Sequence, residues 1–236
     1  MNKRELAVVI LAAGMGKRMK SDLPKVLHKL SGRPLVRWVV EAAKELKPAR
    51  IIVVTGHGGG KVMESLKDEE VSFAEQKEQL GTAHAVMQAA QQLDGFDVPM
   101  IKPRTLKRLA NSARDKKCAA AFLSTDLEDP SGYGRVLRGQ NGEVAAIIEE
   151  RDATPEQKKI KEINGGVYIF DKEFLFKTLP QVAANNAQKE FYLTDIVKIA
   201  LDNGQKVSAL KLDDPGEIRG INSREELEKL ETMIGG

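Results

Sequence analysis

Leu11-Ala12-Ala13-Gly14-Met15-Gly16-Lys17-Arg18-Met19, followed by Ser21-Asp22-Leu23-Pro24-Lys25, decides how this chain is read. The apolar run 6–11 in front of it has the composition of a strand buried on both faces, as in a parallel sheet. Small residues and glycines then let backbone come close to a ligand. Lys17, Arg18 and Lys25 place positive charge within one short stretch. A strand, a glycine turn and clustered positive charge point to a nucleoside triphosphate seated at the end of a sheet. The dinucleotide fingerprint G-x-G-x-x-G fails, because Met19 stands where its third glycine belongs. A Walker A loop fails too, because Arg18 follows Gly16-Lys17 in place of Ser or Thr.

Working outward, strands and helices alternate through the first half. The pattern predicts strands at 7–11, 51–54 and 71–74, and helices at 34–46, 61–66 and 82–93, the last with Thr82 as N-cap. This is the rhythm of a doubly wound, mostly parallel α/β sheet. A helix starts around Pro103. The second half is mixed, with strands at 118–124, 134–137, 144–149, 166–170 and 207–212. Helices are predicted at 174–179, 193–202 and 223–233, the last capped by Ser223 with Glu226 at the capping-box position. The chain reads as a single domain, 1–236, with a nucleotide-binding part to about 125 and a smaller, mixed lobe from about 126.

The bulk numbers exclude more than they assert. The 236 residues suffice for one large α/β domain, and a net charge of +3 without a dense basic tract argues against nucleic acid. The single cysteine, Cys118, cannot form an internal disulfide and is expected to be a buried, inert thiol. No apolar stretch approaches transmembrane length, and 2–5 lead straight into a short strand with no signal-peptide pattern. A cytoplasmic protein without a membrane partner is expected.

The tail R-M-x-S-x-x-P-K extends the opening motif into a pattern that resembles the sugar-nucleotide pyrophosphorylases, nucleotidyltransferases acting on sugar 1-phosphates. Further segments lie in the order of that family: Gly56-His57-Gly58-Gly59, Glu78-Gln79-Leu80-Gly81-Thr82-Ala83-His84-Ala85, Asp129-Pro130-Ser131-Gly132-Tyr133-Gly134-Arg135, Glu162-Ile163-Asn164 and Gly220-Ile221-Asn222-Ser223-Arg224. They resemble the uridyltransferase half of the bifunctional bacterial enzymes that make UDP-N-acetylglucosamine, over nearly the whole chain. The resemblance implies a Rossmann-like nucleotidyltransferase fold. It also implies formation of UDP-N-acetylglucosamine and pyrophosphate from UTP and N-acetylglucosamine 1-phosphate, with magnesium as cofactor. The chain stops before any hexapeptide repeat, so the acetyltransferase β-helix and its trimer contacts are expected to be absent and the chain monomeric.

Nucleotidyl transfer needs triphosphate charge neutralised and the attacking oxygen aligned, with no covalent nucleophile. No Ser/His/Asp or Cys/His constellation is recognisable, and His28, His57 and His84 lack metal-ligand spacing. The catalytic candidates are Arg18, whose fork grips pyrophosphate, and Lys25, a point charge for the α-phosphate. By resemblance, Asp97 and Asn222 hold the metal. Leu11, Ala12, Ala13 and Gly14 pack on the nucleoside, while Gln76, Gly81 and Thr82 read the base. The sugar meets Gly134, Glu149 and Asn164, with Tyr192 and Thr194 nearby. Two departures stand out. Gly165 follows Asn164 where the family has Thr or Ser, and Lys189 replaces a glycine before Glu190-Phe191-Tyr192.

One place breaks the rhythm. The family has a central strand before its Asp-Val-Pro. Here Asp97-Val98-Pro99 is present without a strand-like run in front of it. Loss of a central strand leaves backbone groups unpaired. The expectation is therefore a polypeptide longer at this point, or else a rearranged, non-catalytic UDP-sugar-binding variant. The other rival readings are a pyrophosphorylase for another nucleotide and sugar phosphate, and, weakest, an NAD-dependent oxidoreductase.

Overall fold

The computed structural model describes residues 6–14, 16, 19–89, 102–218 and 227–228. The described residues fall into two compact units. One is drawn from Met1–Gln79, Ala85–Pro103 and Arg219–Gly236, the other from Leu80–His84 and Arg104–Ile218.

In the first unit, strand β1 (Ala7–Ala12) carries Val8, Val9 and Ile10 with no exposed surface. Each such side chain contributes about 1.5–3 kcal/mol by leaving water. A 3-10 turn, Lys25–Leu27, leads into a small hairpin of β2 (Lys29–Leu30) and β3 (Arg33–Pro34). Helix α1 (Leu35–Lys44) buries Leu35, Val36, Val39, Val40, Ala42 and Ala43, the stripe expected from their spacing. Strand β4 (Arg50–Thr55), helix α2 (Gly59–Ser65) and strand β5 (Ser72–Glu75) follow. The sheet runs β1-β4-β5 with both pairings parallel, so the carboxyl ends of all three strands point one way. Met19, Leu30, Leu35 and Leu227 form a separate buried cluster with Trp38 packed against it. Helix α3 (Thr82–Ala89) opens in the second unit and continues into the first at Ala85.

In the second unit, α4 (Pro103–Lys116) begins at a proline, which tolerates the unsatisfied first turn. Strands β6 (Ala120–Asp126), β7 (Arg135–Arg138) and β8 (Val144–Ile148) come next. Helix α5 (Pro155–Lys158) and strand β9 (Glu162–Phe170) follow them. The chain continues through α6 (Lys172–Thr178), α7 (Asp195–Asp202) and β10 (Val207–Leu212). The sheet order is β10-β6-β9-β7-β8, parallel at β10-β6 and antiparallel elsewhere. The sequence pattern predicts an α/β chain with a doubly wound, mostly parallel sheet and a smaller mixed lobe; the structure has the α/β fold with a parallel sheet and a mixed sheet. Buried Thr105 donates from Oγ1 to buried Glu217, tying α4 to the turn after β10.

Several expectations change in detail. Thr82 is the first residue of α3, and its Oγ1 accepts from Leu193 N at 2.9 Å. It therefore serves a distant loop in place of an N-cap role. Strand β9 starts at Glu162, four residues before the expected 166, because the Asn164-Gly165-Gly166 turn signal hides a bulged strand. Helix α5 has no counterpart in the sequence pattern. It is one turn long and rests on a capping box, Thr154 with Gln157. Cys118 is half-buried, and that burial pushes its thiol up. The question of a strand before Asp97, and the caps Ser223 and Glu226, lie outside the described residues.

Candidate functional site

The first unit brings the opening motif against itself. Leu11 and Ala12 end β1, buried Ala13 and exposed Gly14 follow, and Lys25 opens the 3-10 turn half-buried. Gly16 has φ +59°, and a Cβ there would lie 2.9 Å from Lys25 Cβ. Only glycine lets the two halves of the motif sit back to back. Met19 N donates to Gly16 O at 2.8 Å and closes the turn.

Gln76, just past β5, is buried, and its backbone N donates to Thr55 O at 2.7 Å. Its carbonyl accepts from Gln79 Nε2 at 3.0 Å. Gly56 lies against both Ala13 and Gln79, with no room for a Cβ. Leu11–Gly14, Lys25 and Gln76 thus share the carboxyl end of the parallel sheet, where this architecture places ligands. His57 is an exposed turn residue, as expected. Arg18, Asp97 and Asn222 lie outside the described residues. Among the described residues no group of three His, Cys, Asp or Glu is placed to hold a metal ion.

The second unit assembles the rest. Leu80–Ala83 is stitched to the segment before α7: Phe191 N donates to Leu80 O at 2.8 Å, and Ala83 N to Phe191 O at 2.9 Å. Gly81 is pressed so close to Phe191 that a Cβ would lie 2.5 Å from its carbonyl oxygen. His84 stacks loosely near Phe191, at 6.4 Å between ring centroids, which fits a structural role. Two residues past Tyr192, Thr194 Oγ1 donates to Glu149 Oε1 at 3.0 Å. The Glu149 carboxylate lies 3.5 Å from the Cβ position of Gly134. Asn164 N donates to Gly134 O at 2.8 Å. Gly81, Thr82, Gly134, Glu149, Asn164, Tyr192 and Thr194 therefore form one connected neighbourhood.

Its electrostatics are unusual. Burial raises the Glu149 carboxyl above the usual carboxylate range, Thr194 opposes this, and Asp152, Asp195 and Glu190 add to it. Burial and then Asp152 raise Asp195 as well. The Tyr192 phenol is pushed up by burial and by the facing carboxylates of Asp152 and Glu149. A carboxylate that, among the described residues, is met by the Thr194 hydroxyl and faced by further carboxylates is an acceptor for hydroxyl or amide groups.

Sequence reasoning missed two residues here. Arg135 on β7 is 1% exposed, pairs with Glu150 at 2.7 Å, and donates to the carbonyls of Tyr133 and Lys158. Within the charged run Glu149-Glu150-Arg151-Asp152, the partly exposed Glu150 turns to the buried Arg135. The other missed residue is Tyr168, whose hydroxyl accepts from Asn164 Nδ2 at 2.5 Å.

Residues 8–156 match the MobA-like NTP transferase domain. The chain belongs to that family. A protein named Bifunctional protein GlmU from Geobacter metallireducens is 46% identical over 233 residues, covering 94% of this chain and 49% of that protein. A namesake from Thermus thermophilus is 47% identical over 237 residues, covering 97% of this chain and 51% of that one. This NTP transferase chain thus spans about half the length of the curated relatives it matches. The solved structure of a UDP-glucose pyrophosphorylase complexed with UDP-glucose superposes with a TM-score of 0.76 at 17% identity. It covers 98% of each chain and shows the shared nucleotidyltransferase fold. No helix among the described residues is long and apolar enough to cross a membrane.

Proposed function

We propose that this NTP transferase chain joins UTP to N-acetylglucosamine 1-phosphate. An oxygen of the sugar phosphate attacks the α-phosphorus of UTP, the bond from that phosphorus to the bridging oxygen of the β-phosphate breaks, and pyrophosphate leaves. The observation that carries the reading is the neighbourhood of the second unit. Gly81 and Thr82, assigned to the base, are stitched by Phe191 and Leu193 to the Thr194–Glu149 pair, assigned to the sugar.

In the first unit, Leu11–Gly14 and Gln76 would pack on and read the nucleoside, and Lys25 and Arg18 would hold phosphate charge. Glu149 would accept a sugar hydroxyl, and Asn164 would donate to a sugar oxygen. Magnesium, when bound, would neutralise phosphate charge, with Asp97 and Asn222 as the proposed oxygen ligands. The identity of about 46% with proteins named GlmU supports this substrate pair over others in the fold. A cytoplasmic, monomeric domain acting on small molecules, without nucleic acid or membrane partners, completes the reading.

The test is pyrophosphate release across a panel of nucleoside triphosphates and sugar 1-phosphates. UTP with N-acetylglucosamine 1-phosphate is expected to give the highest kcat/KM by more than tenfold. Lys25→Ala is expected to lower kcat about 10²–10³-fold, the scale for one preorganised charge contact in the transition state. A higher kcat/KM with a different pair, or binding without turnover, overturns the proposal.

A further inference from the structure

Strand β9 is interrupted at the residue assigned to the sugar. Phe122 of β6 pairs with Tyr168, and Ser124 with Asn164, so two steps along β6 face four along β9. The surplus residues form a bulge whose turn is made by Gly166, at φ +71°. In a regular strand, residues four apart lie about 13 Å from each other. The bulge brings Asn164 and Tyr168 into direct contact instead.

The Asn164 amide is then held at both ends. Its Oδ1 accepts from Gly166 N at 3.1 Å, and its Nδ2 donates to the Tyr168 hydroxyl at 2.5 Å. An asparagine amide offers two donor hydrogens and two acceptor lone pairs. These bonds fix which edge carries oxygen and which carries nitrogen, and they leave one Nδ2 hydrogen for a ligand.

The tyrosine itself is not free to adapt. It is buried, stacks on Phe170 at 5.4 Å and leans on Phe122 at 6.0 Å. Burial raises its phenol far above the usual value, with the nearby Glu149 charge adding to the rise, so it stays a neutral hydroxyl throughout the physiological range.

We propose that Tyr168 is a positioning residue for the sugar: its hydroxyl fixes the Asn164 amide so that a nitrogen donor is presented beside the Glu149 acceptor. The donor–acceptor couple matches a substrate group carrying an oxygen acceptor next to a hydroxyl donor, as on an acylated amino sugar. The kinetic part of this inference rests on the proposed function, but the orientation of the amide does not.

The test uses the full chain and Tyr168→Phe, which keeps the stacked ring and removes only the hydroxyl. In a proton–nitrogen spectrum, the two Asn164 Nδ2 protons, assigned by their loss in Asn164→Asp, are expected to be well separated and slow to exchange. In Tyr168→Phe they are expected to exchange at least tenfold faster. Unchanged exchange in that variant overturns the proposal, as does a wild-type pair that already exchanges like a solvent-exposed amide. The second criterion decides even if the variant fails to fold.

In kinetics, Tyr168→Phe is expected to raise KM for N-acetylglucosamine 1-phosphate about five- to tenfold, the worth of one hydrogen bond. KM for UTP is expected to stay unchanged, and the substitution to add nothing in an Asn164→Ala background. Equal rises in both backgrounds overturn the positioning role. A wild-type chain that releases no pyrophosphate from any pair defeats the functional reading alone, and the amide spectrum still decides the role of Tyr168.

Discussion

Glu149 and Glu162 lie in the same unit, at the end of β8 and the start of β9, and both are withdrawn from water in opposite company. Glu162 accepts from Ser124 Oγ at 2.7 Å and from Arg138 Nη2 at 2.5 Å through Oε1. Its Oε2 accepts from Arg138 Nε at 3.0 Å. Lys211 Nζ stands 4.0 Å away. Burial pushes the Glu162 carboxyl up, but Arg138, Ser124 and Lys211 together outweigh it and leave it lowered. Glu149 has Thr194 as its hydrogen-bond donor and further carboxylates around it. A carboxylate whose lone pairs are filled by the protein is a clamp. One left short of donors is held ready for a ligand, at a cost to stability.

The largest effect that would sharpen this contrast is on turnover. Glu149→Gln is expected to lower kcat/KM for the sugar phosphate about 10²-fold or more while Tm holds or rises. Steady-state kinetics and a melting curve of the same preparation check both halves. Glu162→Gln is expected to do the reverse. It weakens the bidentate clamp on Arg138 and destabilises the fold by about 2–3 kcal/mol, with sugar KM near wild type, as read by denaturant unfolding. Loss of activity without loss of stability at Glu162 would break the comparison.

A smaller effect is the pH dependence. A raised folded-state carboxyl binds more protons than its unfolded counterpart, so the Glu149 contribution to stability falls as pH rises from the ordinary carboxylate range through the raised value. The lowered Glu162 contributes stability above its unfolded pKa and loses it as pH falls through the lowered value. Against wild type, the stability deficit of Glu162→Gln is expected to shrink in acid. The advantage of Glu149→Gln is expected to grow toward neutral pH. Unfolding free energies at pH 3, 5 and 7 measure both slopes, and equal slopes would erase the distinction.

The sequence is legible where one pattern repeats. Strand 207–212 has the bounds its pattern predicts, because a short, mostly apolar segment between polar turns leaves little choice. The helical stripe of α1 is legible for the same reason. Gly134, Glu149, Asn164 and Thr194, which the motif resemblance assigns to the sugar, are brought together by the structure. Tyr168 is not legible. Strand periodicity puts it far from Asn164, and only the bulge closes the distance. Arg135 is hidden because its partner Glu150 sits in a run that looks like solvated surface.

Gly165 carries a consequence for how this chain can vary. A methyl group there would meet Ile218 Cδ1 at 2.6 Å and the Leu123 carbonyl oxygen at 3.1 Å. The isoleucine fills the volume that any side chain at 165 would need. Accepting a hydroxyl-bearing residue at 165 therefore requires the Ile218 Cδ1 methyl to turn aside and the Leu123 carbonyl to give by a few tenths of an ångström, so positions 165 and 218 are coupled and a larger residue at one favours a smaller one at the other.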